Sequence, residues 1–401
     1  MISRKRDLRT GLTYWQSRPM PRVPERRLAS DIATDVLVVG AGISGALTAE
    51  ALSARHRVVV VDRRGPVQGS TPASTALVEY EIDTPLTELA RKIGREKAAR
   101  AWQRSHAALH ALAERTDLLG IRADQVRRDN LYLSGNVLDA ASLREEADAR
   151  RAIGLETSFL PPGTVTERFG IRGRSALLAH GDLAVDPRRL TSGYLRAAAE
   201  NGAEIFAQVE VTGLETARSG ITALTKDGPA IRAAHIVFAT GYEFPDFVPL
   251  ATHKVISTYA IATRPQKTKL WPGEAFIWEA SDPYLYMRTT PDGRVICGGE
   301  DEDFADAEKR DARIGAKSAA IARKLARLFP NLDTTPEFAW AGAFGTTATG
   351  LPSIGQVPRK PNVWAILGFG GNGITYSRIA ADIIAAALSG REDPDAGLYA
   401  F

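Results

Sequence analysis

Three glycines, Gly40, Gly42 and Gly45, fall in the spacing G-x-G-x-x-G directly after an apolar run at 35–39 and directly before helical spacing at 43–54. A second apolar run, 57–61, ends on Asp62. Each position has a task in holding a dinucleotide. Gly40 makes a tight turn, Gly42 lets backbone approach a pyrophosphate, and Gly45 lets helix pack close on strand. The helix opens with Ile43 and Ser44, and its unpaired N–H groups and positive dipole end attract phosphates. Asp62 stands where a carboxylate accepts hydrogen bonds from ribose hydroxyls. Strand, glycines, helix, strand and acid together predict a bound dinucleotide.

A second glycine loop lies near the C-terminus, where residues 368–373, including Gly370, Gly371, Asn372 and Gly373, feed Ile374 and another helical stretch. It makes a second preorganised anion site. A nicotinamide has no obvious use for such a site, but a flavin does. Its reduction places negative charge on the N1–C2=O edge of the isoalloxazine, which aligned N–H groups stabilise. Other chemistry finds little support. His106 and His110 share a helix face, but with no third ligand they read as a surface pair rather than a metal site. The acidic run Glu300-Asp301-Glu302-Asp303 reads as a solvated loop. No G-x-S-x-G elbow is present and Cys297 sits in an apolar strand, so neither nucleophilic catalysis nor a metal is expected.

The elements that must position these loops follow from periodicity. Residues 1–34 are polar, carry Tyr14 and Trp15, and read as an arm laid on the body. Thr84-Pro85 opens a long helical region in which Leu86, Leu89, Ile93, Ala101, Trp102, Leu109 and Leu112 recur near a 3.6 period. A strand is predicted at 130–134, a charged helix at 142–153, and a helix from Asp186-Pro187 to 199. Strands are predicted at 204–211, 221–225 and 231–239, the last running into Ala239-Thr240-Gly241. Alternation at 254–263, 284–289 and 294–298 predicts an antiparallel sheet, followed by a helix at 314–329, a strand at 362–367 and a helix at 374–388. The expected fold is therefore α/β. A discontinuous Rossmann-like nucleotide domain (35–84, 155–245 and 336–401) is interrupted by an antiparallel-sheet-plus-helix substrate domain (85–154 and 246–335), with a cleft between them.

At 401 residues the chain exceeds what one core serves, and 44% hydrophobic with 24% charged residues is ordinary for a soluble globular protein. A net charge of +4, with scattered basic pairs and one short run Arg4-Lys5-Arg6, argues against nucleic acid. The single cysteine excludes an intrachain disulfide and a cysteine metal cluster, which fits a reducing compartment. Without a long apolar run or a secretory apolar core, neither a membrane span nor secretion is expected, and a cytoplasmic location is.

In its motifs the chain resembles the D-amino-acid oxidase superfamily of FAD enzymes, which includes glycine and sarcosine oxidases. The resemblance rests on the early fingerprint, Gly69-Ser70-Thr71 leading to Ser74-Thr75, Ala239-Thr240-Gly241, Gly350-Leu-Pro-x-Ile-Gly355 and Gly370-Gly-Asn-Gly-Ile374. It implies FAD held by Gly40, Gly42, Ile43, Ser44, Gly45, Asp62, Arg63, Ser70, Thr71, Ser74, Thr75, Val209, Ala239, Thr240, Gly241, Gly350 and the 370–374 loop. It also implies oxidation of a small amine or amino acid: a hydride passes from the carbon bearing nitrogen to flavin N5, water hydrolyses the imine, and O2 or another acceptor reoxidises the flavin. Sarcosine-type members bind FAD through a cysteine. The matching stretch 340–347 has none, so non-covalent FAD is expected.

If the substrate has a carboxylate, an arginine fork is the obvious clamp. Arg288 stands at a position resembling the carboxylate-binding arginine of glycine oxidase-like members; its alternative role is a sheet-face arginine paired with Asp301 or Asp303. Tyr259 and Tyr286 are candidates to line the pocket, with sheet packing as the alternative. Other readings of the same fold are alcohol oxidation, hydroxylation, or a flavin-binding subunit without catalysis.

Overall fold

The computed structural model describes residues 2–3, 5–217, 220–249 and 253–401. Arg4 of the early basic run, and positions 218–219 and 250–252 of the assigned segments, lie outside them. The chain builds two sheets. The eight-stranded sheet runs Ser353–Gln356, Val363–Leu367, Ile231–Gly241, Ile32–Val39, Val58–Asp62 and Glu204–Ala207, with the hairpin Val211–Ala217 and Gly220–Thr225 attached to Ile231–Gly241. Its five consecutive strands from Val363–Leu367 to Glu204–Ala207 pair in parallel. Parallel strands are covered on both faces and so read as unbroken apolar runs. Here Val36, Val38, Val58 and Val60 meet the helices, while Leu37, Val59 and Val61 meet the hairpin side.

Helix Ile43–Ser53 is buried almost all round and packs on helices Pro187–Glu200 and Gly373–Leu388, which its small residues Ala46 and Ala49 permit. A side chain at Gly45 would put its Cβ 1.8 Å from the Gly40 carbonyl, so only glycine lets this helix start so close to the strand. Gly40 itself turns at φ 117°, a conformation that other residues rarely adopt.

The ten-stranded sheet runs Arg9–Thr10, Pro336–Thr346, Lys254–Thr263, Val295–Glu302, Leu285–Thr289, Phe276–Glu279, Val126–Leu133, Ala176–Ala184 and Leu77–Val78, with Thr157–Leu160 also pairing Ala176–Ala184. It is antiparallel except where Phe276–Glu279 joins Val126–Leu133. Helix Ile314–Leu328 covers one face with Ile321 and Leu325, against Tyr259, Met287 and Cys297. The opposite face of the same strands looks towards the nucleotide sheet.

Sheet membership does not follow the expected borders. Thr157–Leu160, Ala176–Ala184 and Pro336–Thr346, expected within 155–245 and 336–401 of the nucleotide domain, are strands of the second sheet. Helix Arg95–Leu118, expected in the substrate domain, places Trp102 and Leu109 in the core of the nucleotide unit. Strand pairing is non-local, so partners decide membership. The long helical region is two helices, Leu86–Ile93 and Arg95–Leu118, divided where Gly94 turns at φ 90°. The run 204–211 divides at Gln208, with φ 59°, into separate strands. No helix among the described residues is long and apolar enough to cross a membrane.

Candidate active site

A cavity of about 780 Å³ lies between the two sheets, within the roughly 300–1,000 Å³ usual for ligand and cofactor sites. Strand ends and helix starts of the nucleotide sheet form one end. Gly40, Gly42, Ile43 and Ser44 line it, with Asp62, Arg63, Val209 and residues 239–241 around them. A Cβ at Gly42 would meet only Thr71 Oγ1, at 3.3 Å, so this glycine leaves its lumen side bare for an approaching ligand. Asp62 Oδ2 accepts from Ala41 N at 2.8 Å, and Oδ1 accepts from Arg64 N at 2.7 Å and Gly65 N at 3.0 Å. Burial nonetheless pushes its carboxyl above the usual range. Arg63 and Arg64 also reach the lumen, and both pair with Glu243. Bare backbone beside a helix start, an acid at the strand end and donors near the mouth fit the dinucleotide half of FAD.

The wall between the two ends is the segment Ala73–Thr75, which lines the cavity with Ser70 and Thr71. Three side chains grip this region from behind. Trp340 Nε1 donates to the Ala73 carbonyl at 2.9 Å, Trp15 Nε1 to that of Ser74 at 2.7 Å, and Arg288 to that of Ala76 at 2.5 Å. Here the structure corrects two expectations. Arg288 is 1% exposed and does not line the cavity. It also donates to the carbonyls of Val185 at 2.9 Å and Thr289 at 3.0 Å, and its guanidinium lies 5.4 Å from the Trp15 ring centroid. Neither Asp301 nor Asp303 is its partner. Burial lowers its pKa to about 9. Its sheet face is the expected one, shared with Tyr286, but two residues along a strand is about 7 Å, far enough to pass behind the wall. Tyr259 points to the opposite face, in the core under helix Ile314–Leu328, while its neighbours Ile256 and Thr258 line the cavity. Tyr286 does line it, with its hydroxyl 3.3 Å from Thr258 Oγ1.

Gly45 and Gly350 are likewise outside the lining, and both shape it. Gly45 seats the helix, and the Gly350 carbonyl accepts from the Tyr376 hydroxyl at 3.0 Å. Gly370, Gly371, Asn372, Gly373 and Ile374 all line the cavity. One N–H of that loop is engaged internally, Gly371 N donating to Asp83 Oδ2 at 2.7 Å, and Asn372 Nδ2 donates to the carbonyls of Glu79 and Glu81.

The far end, between this loop and the second sheet, is acidic and aromatic. Glu79, Asp83 and Asp301 line it, with Tyr132, Trp278, Tyr284 and Tyr286 as walls. Tyr132 and Trp278 stack with centroids 3.8 Å apart. Burial, then Glu81 and Asp83 nearby, hold Glu79 well above the ordinary carboxylate range, and burial also raises Asp83. Asp301 accepts from the Tyr284 hydroxyl at 3.2 Å on Oδ2, and its Oδ1 is buried beside Thr258. A bulge aims it. Ser257 pairs Glu302 and Tyr259 pairs Gly299, and the extra residue, Glu300, turns at φ 59°. Bulges re-aim side chains in this way. Glu300 and Glu302 pair with Lys317 on helix Ile314–Leu328, and Asp301 turns to the lumen. The expectation of a solvated acidic loop is corrected at this residue.

Sequence reading passed over Glu79, Asp83, Tyr132 and Trp278. A signal existed for the acids: Glu79, Glu81 and Asp83 alternate with Tyr80 and Ile82 directly after the Ser74-Thr75 loop. His106 and His110 are a pair with Nε2 atoms 3.2 Å apart, away from the cavity, and no group of acids, histidines or cysteine among the described residues is arranged for a metal.

The chain is 22% identical over 394 residues to the putative Rieske 2Fe-2S iron-sulfur protein YhfW of Bacillus subtilis, covering 96% of this chain and 74% of that one. It is 23% identical over 395 residues to gamma-glutamylputrescine oxidoreductase of Escherichia coli, covering 94% and 89%. The fold superposes on the crystal structure of glycine oxidase from Geobacillus kaustophilus with a TM-score of 0.71 at 21% identity, covering 90% of this chain and 96% of that one. The profile of the family described as FAD dependent oxidoreductase (DAO) matches residues 35–387, and the chain belongs to that family of FAD-dependent oxidoreductases.

Proposed function

We infer that the protein oxidises a carbon–nitrogen bond of a small amine or amino acid. The observation that carries this reading is the single cavity in which the fingerprint end meets an aromatic, carboxylate-bearing end. When bound, FAD supplies the two-electron acceptor at N5. The chain supplies the rest. Gly40, Gly42, Ile43 and Ser44 would hold the pyrophosphate, Asp62 would accept from the ribose, and the 370–374 loop would border the flavin end. Tyr284, Tyr286 and Trp278 exclude water and orient the substrate.

An amine must lose its ammonium proton before its carbon can give up hydride. Glu79 and Asp83, whose raised pKa values bring them nearer the ammonium, are placed to take it. The carbon–hydrogen bond then breaks with its electron pair leaving as hydride, the nitrogen lone pair closes a C=N bond, and water splits the imine into carbonyl and amine. That hydride would pass to the bound flavin, and dioxygen or another oxidant would then take its two electrons and one proton together with the proton held by the carboxylate. No histidine is among the described residues lining the cavity, whereas an alcohol would need a base for its far less acidic hydroxyl. The similarity to gamma-glutamylputrescine oxidoreductase and to glycine oxidase supports a nitrogen-bearing substrate. The test is anaerobic mixing of the flavoprotein with an amine and amino-acid panel while flavin absorbance is followed. Bleaching by at least one amine or amino acid is expected; bleaching by alcohols alone would overturn the reading.

A further inference from the structure

The far end of the cavity has charge of one sign. Among the described lining residues the arginines are Arg63 and Arg64, both at the nucleotide end and both paired with Glu243, and there is no lysine. Arg288, on the sheet face of Tyr286, donates to three main-chain carbonyls behind the Ala73–Thr75 wall. Facing the lumen instead are Glu79, Asp83 and Asp301, the last accepting from the Tyr284 hydroxyl on Oδ2 at 3.2 Å. The rings of Tyr284 and Tyr286 lie 5.5 Å apart beside it, and Tyr132 and Trp278 add a stacked pair. Aromatic faces and buried carboxylates are the surroundings in which an ammonium is stabilised, whereas a carboxylate there would meet like charge with no fork to receive it.

We propose that the substrate carries a second protonated nitrogen away from the carbon being oxidised, as a diamine does, and no carboxylate, with Asp301 and the Tyr284–Tyr286 rings receiving that distal cation. The proposal rests on the amine-oxidation reading above and sharpens it. The reacting nitrogen sits towards Glu79 and Asp83, which take its proton. The distal nitrogen keeps its charge against Asp301, whose ionised form it favours. Aliphatic carbons between the two lie along the aromatic wall.

The test measures anaerobic flavin reduction in the holoenzyme by 1,4-diaminobutane, N-acetyl-1,4-diaminobutane, butylamine, glycine, sarcosine and proline. The diamine is expected to half-saturate at a concentration about tenfold or more below butylamine, and acetylation, which removes only the distal charge, should return it to the butylamine level. Asp301→Asn should lower the diamine-to-butylamine ratio of kcat/KM about tenfold while flavin content is unchanged; should that variant not fold, the acetylated substrate with the parent enzyme carries the test. Equal behaviour of diamine and butylamine overturns the distal-cation proposal. Better reduction by glycine, sarcosine or proline than by the diamine also overturns it and leaves amine oxidation standing. Reduction by none of the six overturns both.

Discussion

Replacing Arg288 separates two accounts of a buried cation in a flavoenzyme. If Arg288 holds the cavity wall, Arg288→Met keeps side-chain bulk and removes every donor. Of its three acceptors, Thr289 is the next residue of the same strand, and the carbonyls of Ala76 and Val185, on other segments, lose partners at 2.5 and 2.9 Å in a site that is 1% exposed. A buried acceptor left unpaired costs about 1–3 kcal/mol, so the two bracket the loss at about 2–6 kcal/mol. Removing a buried charge held by no carboxylate returns part of that, because desolvating a guanidinium is itself unfavourable. A net loss of about 2–4 kcal/mol is expected, which a domain of ordinary stability survives. Arg288→Lys supplies one compact ammonium in place of a fork and should fall between the two. The assay is denaturant unfolding of the holoprotein, followed by tryptophan and flavin fluorescence, beside steady-state rates with amines that do and do not carry a carboxylate. Both variants should lose stability, with KM changing by the same factor for either substrate type. A variant of parental stability whose KM rises only for carboxylate-bearing substrates would refute the reasoning and return Arg288 to the substrate.

Asp62→Ala should weaken FAD affinity by roughly 1–3 kcal/mol in a flavin titration, because it removes the ribose acceptor and frees the N–H groups of Ala41, Arg64 and Gly65. Acid precipitation should release the flavin into the supernatant, since Cys297, the sole cysteine, is buried on the other face of the second sheet; colour kept in the pellet would contradict this. Burial pushes Asp301 up to about 6, so a cationic substrate should bind more tightly as pH rises through that value, and a flat profile in the parent would count against its role. For stability the sign is opposite: a raised pKa favours the protonated fold, so the contribution of Asp301 is greatest below the ordinary aspartate range and lost as pH climbs through about 6. Gly45→Ala should abolish soluble holoprotein, its Cβ falling 1.8 Å from the Gly40 carbonyl, and normal flavin yield would disprove that packing account.

The nucleotide half was legible because its signals are local. Glycine spacing, a following helix start and an acid at the next strand end all lie between Gly40 and Asp62, and backbone geometry at those positions permits few alternatives. The second sheet was legible as strands but not as a border. Ala176–Ala184 carries no mark of pairing Val126–Leu133 rather than the nucleotide strands, and such choices are settled by distant partners. The substrate end was the least legible. Tyr259 and Thr258 differ by one residue of register, and a one-residue step reverses the face. Asp301 faces the lumen only because Glu300 is an added residue in its strand, a feature without a composition signature. Arg288 had the right face and the wrong depth, because strand alternation reports sidedness but not which loop crosses in front.

The N-terminal arm turns cofactor binding into a question of order in time. Ile2, Ser3 and Leu8 line the cavity, Arg9–Thr10 adds an edge strand to Ala341 and Gly342, and Trp15 is bolted to the Ser74 carbonyl. The arm seats only once its partner strand Pro336–Thr346, far along the chain, is in place. Flavin that entered before the arm docks would be enclosed by it, and its escape would then depend on how fast Arg9–Thr10 parts from Pro336–Thr346. Dissociation should then follow local opening, and weakening the arm, as by Trp15→Ala, should hasten both capture and loss of flavin while shifting their ratio less than either rate.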